Sequence, residues 1–202
     1  MFLVKLINPQ INNPLKTMPR KISTAVIQEQ AFVSLLTAAL EVYNKETFGL
    51  LVGSVKEGRY KSQIIIKNAL TYQNATRKEK EVSIWPSRDA RIRYVINYLS
   101  GCKIIGEFHS HTYGVDHLTK HDIKDMIEDG ERFSLLISIE PAEFAEKWFY
   151  DKKNKSLHGT VNDDYFITIK VYAREYDKKV VRKLKLECPY IEKLNKEYEK
   201  SL

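Results

Sequence analysis

The chain has 202 residues, 43% of them apolar and 29% charged, which suits one globular domain of ordinary size with a real core. Its 33 Lys and Arg against 26 Asp and Glu give a net charge of +7, and no window approaches the roughly 18 apolar residues of a membrane helix. Cys102 and Cys188 lie far apart and form no CxxC, which argues against a disulfide framework or a thiolate zinc site.

Residues 1–20 carry three prolines and three asparagines and read as an N-terminal arm. Lys5 interrupts their only apolar patch, so there is no signal-peptide core, and a cytoplasmic protein is expected. ISTAVI (22–27) reads as a strand. Phe32, Leu35, Leu36, Ala39, Leu40 and Tyr43 then follow the i, i+3, i+4 spacing of a helix face. ETFGLLVGS (46–54) and YKSQIIIKNAL (60–70) flank a KEGRY turn and predict a hairpin. The polar, aperiodic TYQNATRKEKE reads as a loop, and VSIWP (82–86) as a short edge strand closed by its proline. Residues 87–99 return to helix, with Ser87 as N-cap and Ile92, Val95, Ile96 and Leu99 as its stripe. CKIIGEF (102–108) is a strand, with Cys102 expected as a buried thiol. Thr119–Asp129 reads as helix with Ile123, Met126 and Ile127 inward, and FSLLISI (133–139) as a buried strand. EKWFY (146–150), YFITIKVYA (165–173) and KKVVRKLKLE (178–187) are later strand candidates. Ile191, Leu194 and Tyr198 mark a final helix. Interleaved strands and helices with a hairpin among them predict an α/β or α+β sheet covered by helices. The division expected is an arm (1–20), a main domain (21–175) and a C-terminal strand and helix extension (176–202).

Charge is unevenly distributed. Residues 51–100 carry ten Lys and Arg against four Asp and Glu, whereas residues 101–150 carry five against ten. The basic segments offer a nucleic-acid surface in principle. No helix-turn-helix, RNP-type aromatic pattern or phosphate loop accompanies them, so solvated Lys-rich faces are the plainer reading.

The acidic stretch holds GEFHSHTYGVDHLTKHD (106–122), with four of the chain's five histidines. Residues two apart on a strand point the same way, so His109 and His111 can face one point. A helix beginning at Thr119 can bring Asp122 to the same place. Two imidazoles and a carboxylate make a three-ligand zinc set that leaves the fourth position for water. Such a site needs a nearby carboxylate to move the proton. Glu46 and Glu107 both adjoin buried strands, and pattern alone does not choose between them; Glu107 also reads as a strand-end salt bridge. Thr119-x-x-Asp122 has the form of a helix capping box as well. His117 and His121, four apart, could bind a metal from one helix, but they read better as surface histidines or as supports to the ligands; Ser110 reads as structural, with support of the site as its alternative.

His109-Ser110-His111, seven residues, Thr119, two residues, Asp122, together with the upstream Glu46-Thr-Phe-Gly-Leu-Leu-Val-Gly, resembles the JAMM (MPN+/JAB) zinc metalloprotease family over about residues 22–140. The resemblance implies an MPN/JAB fold, a cytidine-deaminase-like mixed sheet flanked by helices. It implies one Zn2+ per chain on His109, His111 and Asp122. Glu46 becomes the general acid/base, and Thr119 stands where serine usually stabilises the oxyanion. Thr112 and Leu118 stand where prolines are common, which predicts a looser loop between the ligands. The implied reaction is amide hydrolysis, and the implied partner a ubiquitin-like or sulfur-carrier protein. Its tail would add as a strand beside Val82, Ser83, Ile84 and Trp85. A homodimer or a regulatory partner stays open. Two other functions also remain open on the sequence: a metal-stabilised binding scaffold, and a nucleic-acid-associated protein using the basic surfaces.

Overall fold

The computed structural model describes residues 22–58, 61–72, 76–77, 82–83, 86–99, 102–175 and 179–201. The expected arm, and Ile84 and Trp85, lie outside them. In chain order the elements are β1 (Ile22–Ile27), α1 (Glu29–Leu40), β2 (Phe48–Lys56), β3 (Ser62–Thr71), β4 (Thr76–Arg77), β5 (Val82–Ser83) and α2 (Pro86–Tyr94). A π-helical turn (Val95–Leu99) follows, then β6 (Lys103–His111), α3 (Lys120–Glu128), β7 (Phe133–Pro141), β8 (Phe149–Asp151), β9 (Ser156–Val161) and β10 (Tyr165–Arg174). β11 (Val181–Lys183), β12 (Lys185–Glu187) and α4 (Tyr190–Ser201) complete the chain.

One mixed sheet organises them in the order β12-β1-β3-β2-β6-β7-β10-β9-β8, with β11 also on β10. The expected hairpin is β2–β3, antiparallel. β6 lies between β2, antiparallel, and β7, parallel. The segment expected as one C-terminal strand is two. β11 pairs with β10, the Leu184 N–H donates to the Val171 carbonyl at 2.8 Å, and β12 pairs with β1. This single crossing ties the β10 side of the sheet to its β1 edge. Leu184, Leu186, Cys188 and Ile191 accordingly belong to the main core.

That core lies on one face. α1 turns Ala31, Phe32, Leu35, Ala38 and Ala39 onto Leu51, Ile64, Ile66, Phe108, Leu135 and Ile137. Phe32 meets Trp148 edge to face with centroids 4.9 Å apart. Strand alternation sends the intervening residues to the other face, where Leu50, Val52, Tyr72 and Ile96 form one small cluster. Leu118, Met126, Leu136 and Tyr172 form another beneath α3. β6 and β7 approach so closely at Gly106 that a Cβ there would sit 2.2 Å from the Phe133 carbonyl oxygen.

Several expectations are corrected. Ser87 lies inside α2 rather than capping it, because the helix begins at Pro86, whose fixed φ suits a first turn. α2 buries no residue: Ile92 and Val95 are exposed, and of the described stripe residues only Ile96, in the π-helical turn, is buried. Cys102 is exposed because it precedes β6; Cys188 is the buried thiol. Tyr43 lies beyond α1 and is exposed. The strand expected at 146–150 starts at Phe149, and β9 had no counterpart among the sequence expectations. Val82 and Ser83 pair with Arg77 and Thr76 in a separate two-stranded ribbon, not on the edge of the main sheet. Among the described residues no helix is long and apolar enough to cross a membrane.

Phe32 is 1% exposed, so Phe32→Ala is expected to cost about 3–5 kcal/mol in urea unfolding. Val33→Ala, at a position 46% exposed on the same helix, stays within about 0.5 kcal/mol.

Candidate metal centre

β6 keeps strand geometry through His111, so Glu107, His109 and His111 face one side of the sheet and Phe108 and Ser110 the other. Pairing preserves that geometry at the strand's end. The Thr47 N–H donates to Ser110 Oγ at 2.9 Å, and the Ser110 N–H donates to the Thr47 carbonyl at 3.0 Å. On the other edge Ser110 and His111 stay in register with Ile137 and Ser138 of β7. The two imidazoles consequently stand 4.9 Å apart by centroid.

α3 supplies the third group. Thr119 is its N-cap, and its Oγ1 accepts from the Asp122 N–H at 3.2 Å. The Asp122 Oδ2 in turn accepts from the Thr119 N–H at 2.6 Å and from the Thr119 hydroxyl at 2.8 Å. The capping box therefore orients Asp122 toward the histidines, with His111 Nε2 at 3.3 Å from Oδ2 and His109 Nε2 at 3.8 Å from Oδ1. The His111 Nδ1–H donates to the Val115 carbonyl at 3.2 Å, which fixes the tautomer that leaves Nε2 as an electron-pair donor.

The three candidate ligand atoms lie within 4.8 Å of one another. A tetrahedral ion bound at 2.0–2.2 Å places its donors roughly 3.3 Å apart, so the cluster needs only a small contraction. His109 Nε2 is buried and has no hydrogen-bond partner. A buried acceptor left unpaired is costly, and a cation is the partner that this donor set fits.

The electrostatics agree. Burial pulls His109 down to about 4, only partly offset by Asp122. At His111 burial works downward too, but the Asp122 hydrogen bond and charge, with Glu46 behind them, hold it above its ordinary value. Burial would raise Asp122, yet His111, His109 and Thr119 together hold it well below the carboxylate range.

The two glutamate candidates separate here. Glu46 immediately precedes the Thr47–Ser110 latch. It lines the same open cavity of about 1920 Å³ as His109, His111, Thr119 and Asp122. Glu107 is instead held by the Arg93 guanidinium, which also takes Asp89 at 2.8 Å and Glu131 at 3.5 Å. Burial and Glu131 push Glu107 above the usual carboxylate range despite Arg93. His117 and His121 are surface groups beside Asp116 and Asp125. Sequence reasoning missed the Arg93 hub, whose members are spread over 89–131. It also missed Lys170, whose Nζ donates to the Asp116 carbonyl and carboxylate within the loop between the ligands. A lysine inside an apolar strand run was the available signal. The loop expected to be loose is thus anchored.

A family model described as prokaryotic homologs of the JAB domain matches residues 28–150, more than half of the chain. Against curated proteins nothing matches. Among solved structures, the solution structure of protein DSY2949 from Desulfitobacterium hafniense is similar, with a TM-score of 0.53 and 15% identity, over 81% of this chain and 92% of that one. At that identity the likeness concerns the fold.

The metal-free protein should show a distinctive pH profile. His109, depressed from about 6.5 to about 4, stabilises the fold above pH 6.5, and that contribution is lost as pH falls from about 6.5 toward 4. His111, raised, contributes fully below about 6.5 and loses its share as pH climbs through its folded value. A Tm series in chelator is expected to fall on the acid side, and His109→Leu to flatten that limb.

Proposed function

The chain belongs to the prokaryotic JAB family, and on that basis we propose that it is a zinc metallopeptidase, cutting an amide or isopeptide bond at the C-terminal tail of a ubiquitin-like or sulfur-carrier protein. The observation that carries the reading is the buried, unpartnered His109 Nε2 inside a three-donor cluster that opens onto a large cavity. A merely structural polar cluster would satisfy that nitrogen internally.

His109, His111 and Asp122 would hold one zinc ion, which supplies a Lewis acid and brings the pKa of a bound water toward about 7. The Glu46 carboxylate takes the proton of the attacking water and returns it to the leaving amine nitrogen. The latch between Thr47 and Ser110 holds the backbone beside Glu46 against the ligand strand. Thr119 orients Asp122 through its hydroxyl, and a role toward the oxyanion requires that proton to turn away from the carboxylate. The substrate tail would run as an added strand beside Val82 and Ser83. Pro86, three residues further on, lines the cavity. Two free cysteines, one of them exposed, suit the reducing cytoplasm.

Elemental analysis of wild type and Glu46→Gln, beside an assay on a ubiquitin-like fusion, tests the proposal. The expected result is about one zinc per chain in both proteins, with cleavage by wild type reduced about 10²–10⁴-fold in the variant. Absence of zinc from wild type after reconstitution would refute the metal centre. Zinc without cleavage across a panel of carrier fusions would favour a scaffold. Ser83→Pro is expected to raise KM while leaving zinc content intact; an unchanged KM removes the strand-addition site.

A further inference from the structure

Lys170 lies in the middle of β10, in the run Ile167-Thr-Ile-Lys-Val-Tyr172, and is only 4% exposed. Among the described residues no other Lys, Arg, Asp or Glu is buried to this degree. An ammonium in such surroundings is costly unless it is paired and hydrogen-bonded, so its position calls for a physical cause.

Its partners supply one. Lys170 is in register with Leu136 of β7, and Leu136 with His109 of β6, so lysine and ligand share one transverse row and one face of the sheet. From there Nζ donates to the Asp116 carbonyl at 2.7 Å and to the Asp116 carboxylate. Asp116 adjoins Val115, whose carbonyl accepts the His111 Nδ1–H. The loop reaches this point by a reversal at Tyr113 and Gly114, whose φ angles are 58° and 72°. The φ of Gly114 is one that residues with a Cβ rarely adopt, so glycine suits this reversal. Its N–H donates to the Ile139 carbonyl at 3.2 Å. The loop is thus held at Gly114 by β7 and at Asp116 by β10, and the carbonyl that sets the His111 tautomer lies between the two anchors.

We propose that Lys170 is a positioning residue for the metal centre, acting through Asp116 and Val115 to fix the ring orientation and tautomer of His111. This rests on the reading of His109, His111 and Asp122 as a zinc site. Lys170 makes no contact with metal or substrate in this role. It supplies the stiffness that the sequence, with Thr112 and Leu118 flanking the loop, does not supply through proline.

The test is zinc affinity, measured by competition with a chromogenic chelator on wild type, Lys170→Met, Lys170→Arg and Asp116→Asn, with the Tm of each metal-free protein alongside. Methionine matches the lysine stem in length and removes the charge, and arginine can restore donors to Asp116. The expected result is a zinc Kd about 10–100-fold weaker in Lys170→Met, with partial recovery in Lys170→Arg. Asp116→Asn keeps the backbone carbonyl but loses the charged partner, and its Kd weakens in the same direction; it serves as the readout should Lys170→Met fail to fold. A wild-type Kd in Lys170→Met, or in Asp116→Asn where that is the readout, overturns the proposal and leaves the zinc site standing. A lowered metal-free Tm with unchanged Kd overturns it too, by showing a structural role alone. Wild type that binds no zinc overturns the metal reading itself.

Discussion

Pairing on both edges of β6 is the constraint on which the site depends. A strand end normally frays, and with it goes the alternation that points residues two apart in the same direction. Here β2 and the Thr47 latch hold one edge while β7 holds the other up to the His111–Ser138 pair. The alternation therefore survives through the last histidine, and both imidazoles meet on the face opposite the main core. Ser110, between them, points the other way. It is fully buried and spends its hydroxyl on the backbone of the residue beside Glu46. One tripeptide thus places two ligands on one face and anchors the neighbouring chain from the other.

The start of α3 shows how a folding device and a chemical one can share atoms. A capping box needs a carboxylate at the third helical residue to satisfy the N-cap backbone N–H, and the positive end of the helix dipole favours an anion there. Asp122 meets that need and by the same bonds is turned toward His109 and His111. The carboxylate is oriented before any metal arrives, because helix formation has already immobilised it. Its rotamer entropy is lost on folding rather than on binding, the general advantage of preorganised ligands.

Charge is unevenly placed on this face of the sheet too. Five of the ten acidic residues of 101–150, Glu107, Asp122, Asp125, Asp129 and Glu131, line the cavity. There Arg93 draws Asp89, Glu107 and Glu131 into one network, and Lys170 neutralises Asp116 from below. Arg93 stays charged despite burial because three carboxylates surround it. The network also gives Glu107 and Glu46 different fates. Both adjoin buried strands; Glu107 is held by the Arg93 guanidinium, and Glu46 lines the cavity with the ligand cluster.

Much of this protein was legible in the sequence alone. Periodicity marks α1 and α4, and apolar alternation marks β1 to β3, β6, β7 and β10, because burial on one face leaves a period in the chain. The spacing of His109, His111, Thr119 and Asp122 encodes the ligand cluster because strand and helix periods are local rules. Sequence was silent or misleading where a residue's partner is remote. Cys102 looks apolar in its run but precedes the paired part of β6. Ile92 and Val95 have helical spacing but are exposed among the described residues. The 178–187 run splits in two because its halves bond to β10 and β1, strands far apart in the chain. Arg93 reaches Glu107 and Glu131, 14 and 38 positions away, and Lys170 reaches Asp116, 54 positions away. Local periodicity sets which way a side chain points; only the packed sheet decides what it meets, because charge pairing and burial depend on distances that chain order does not contain.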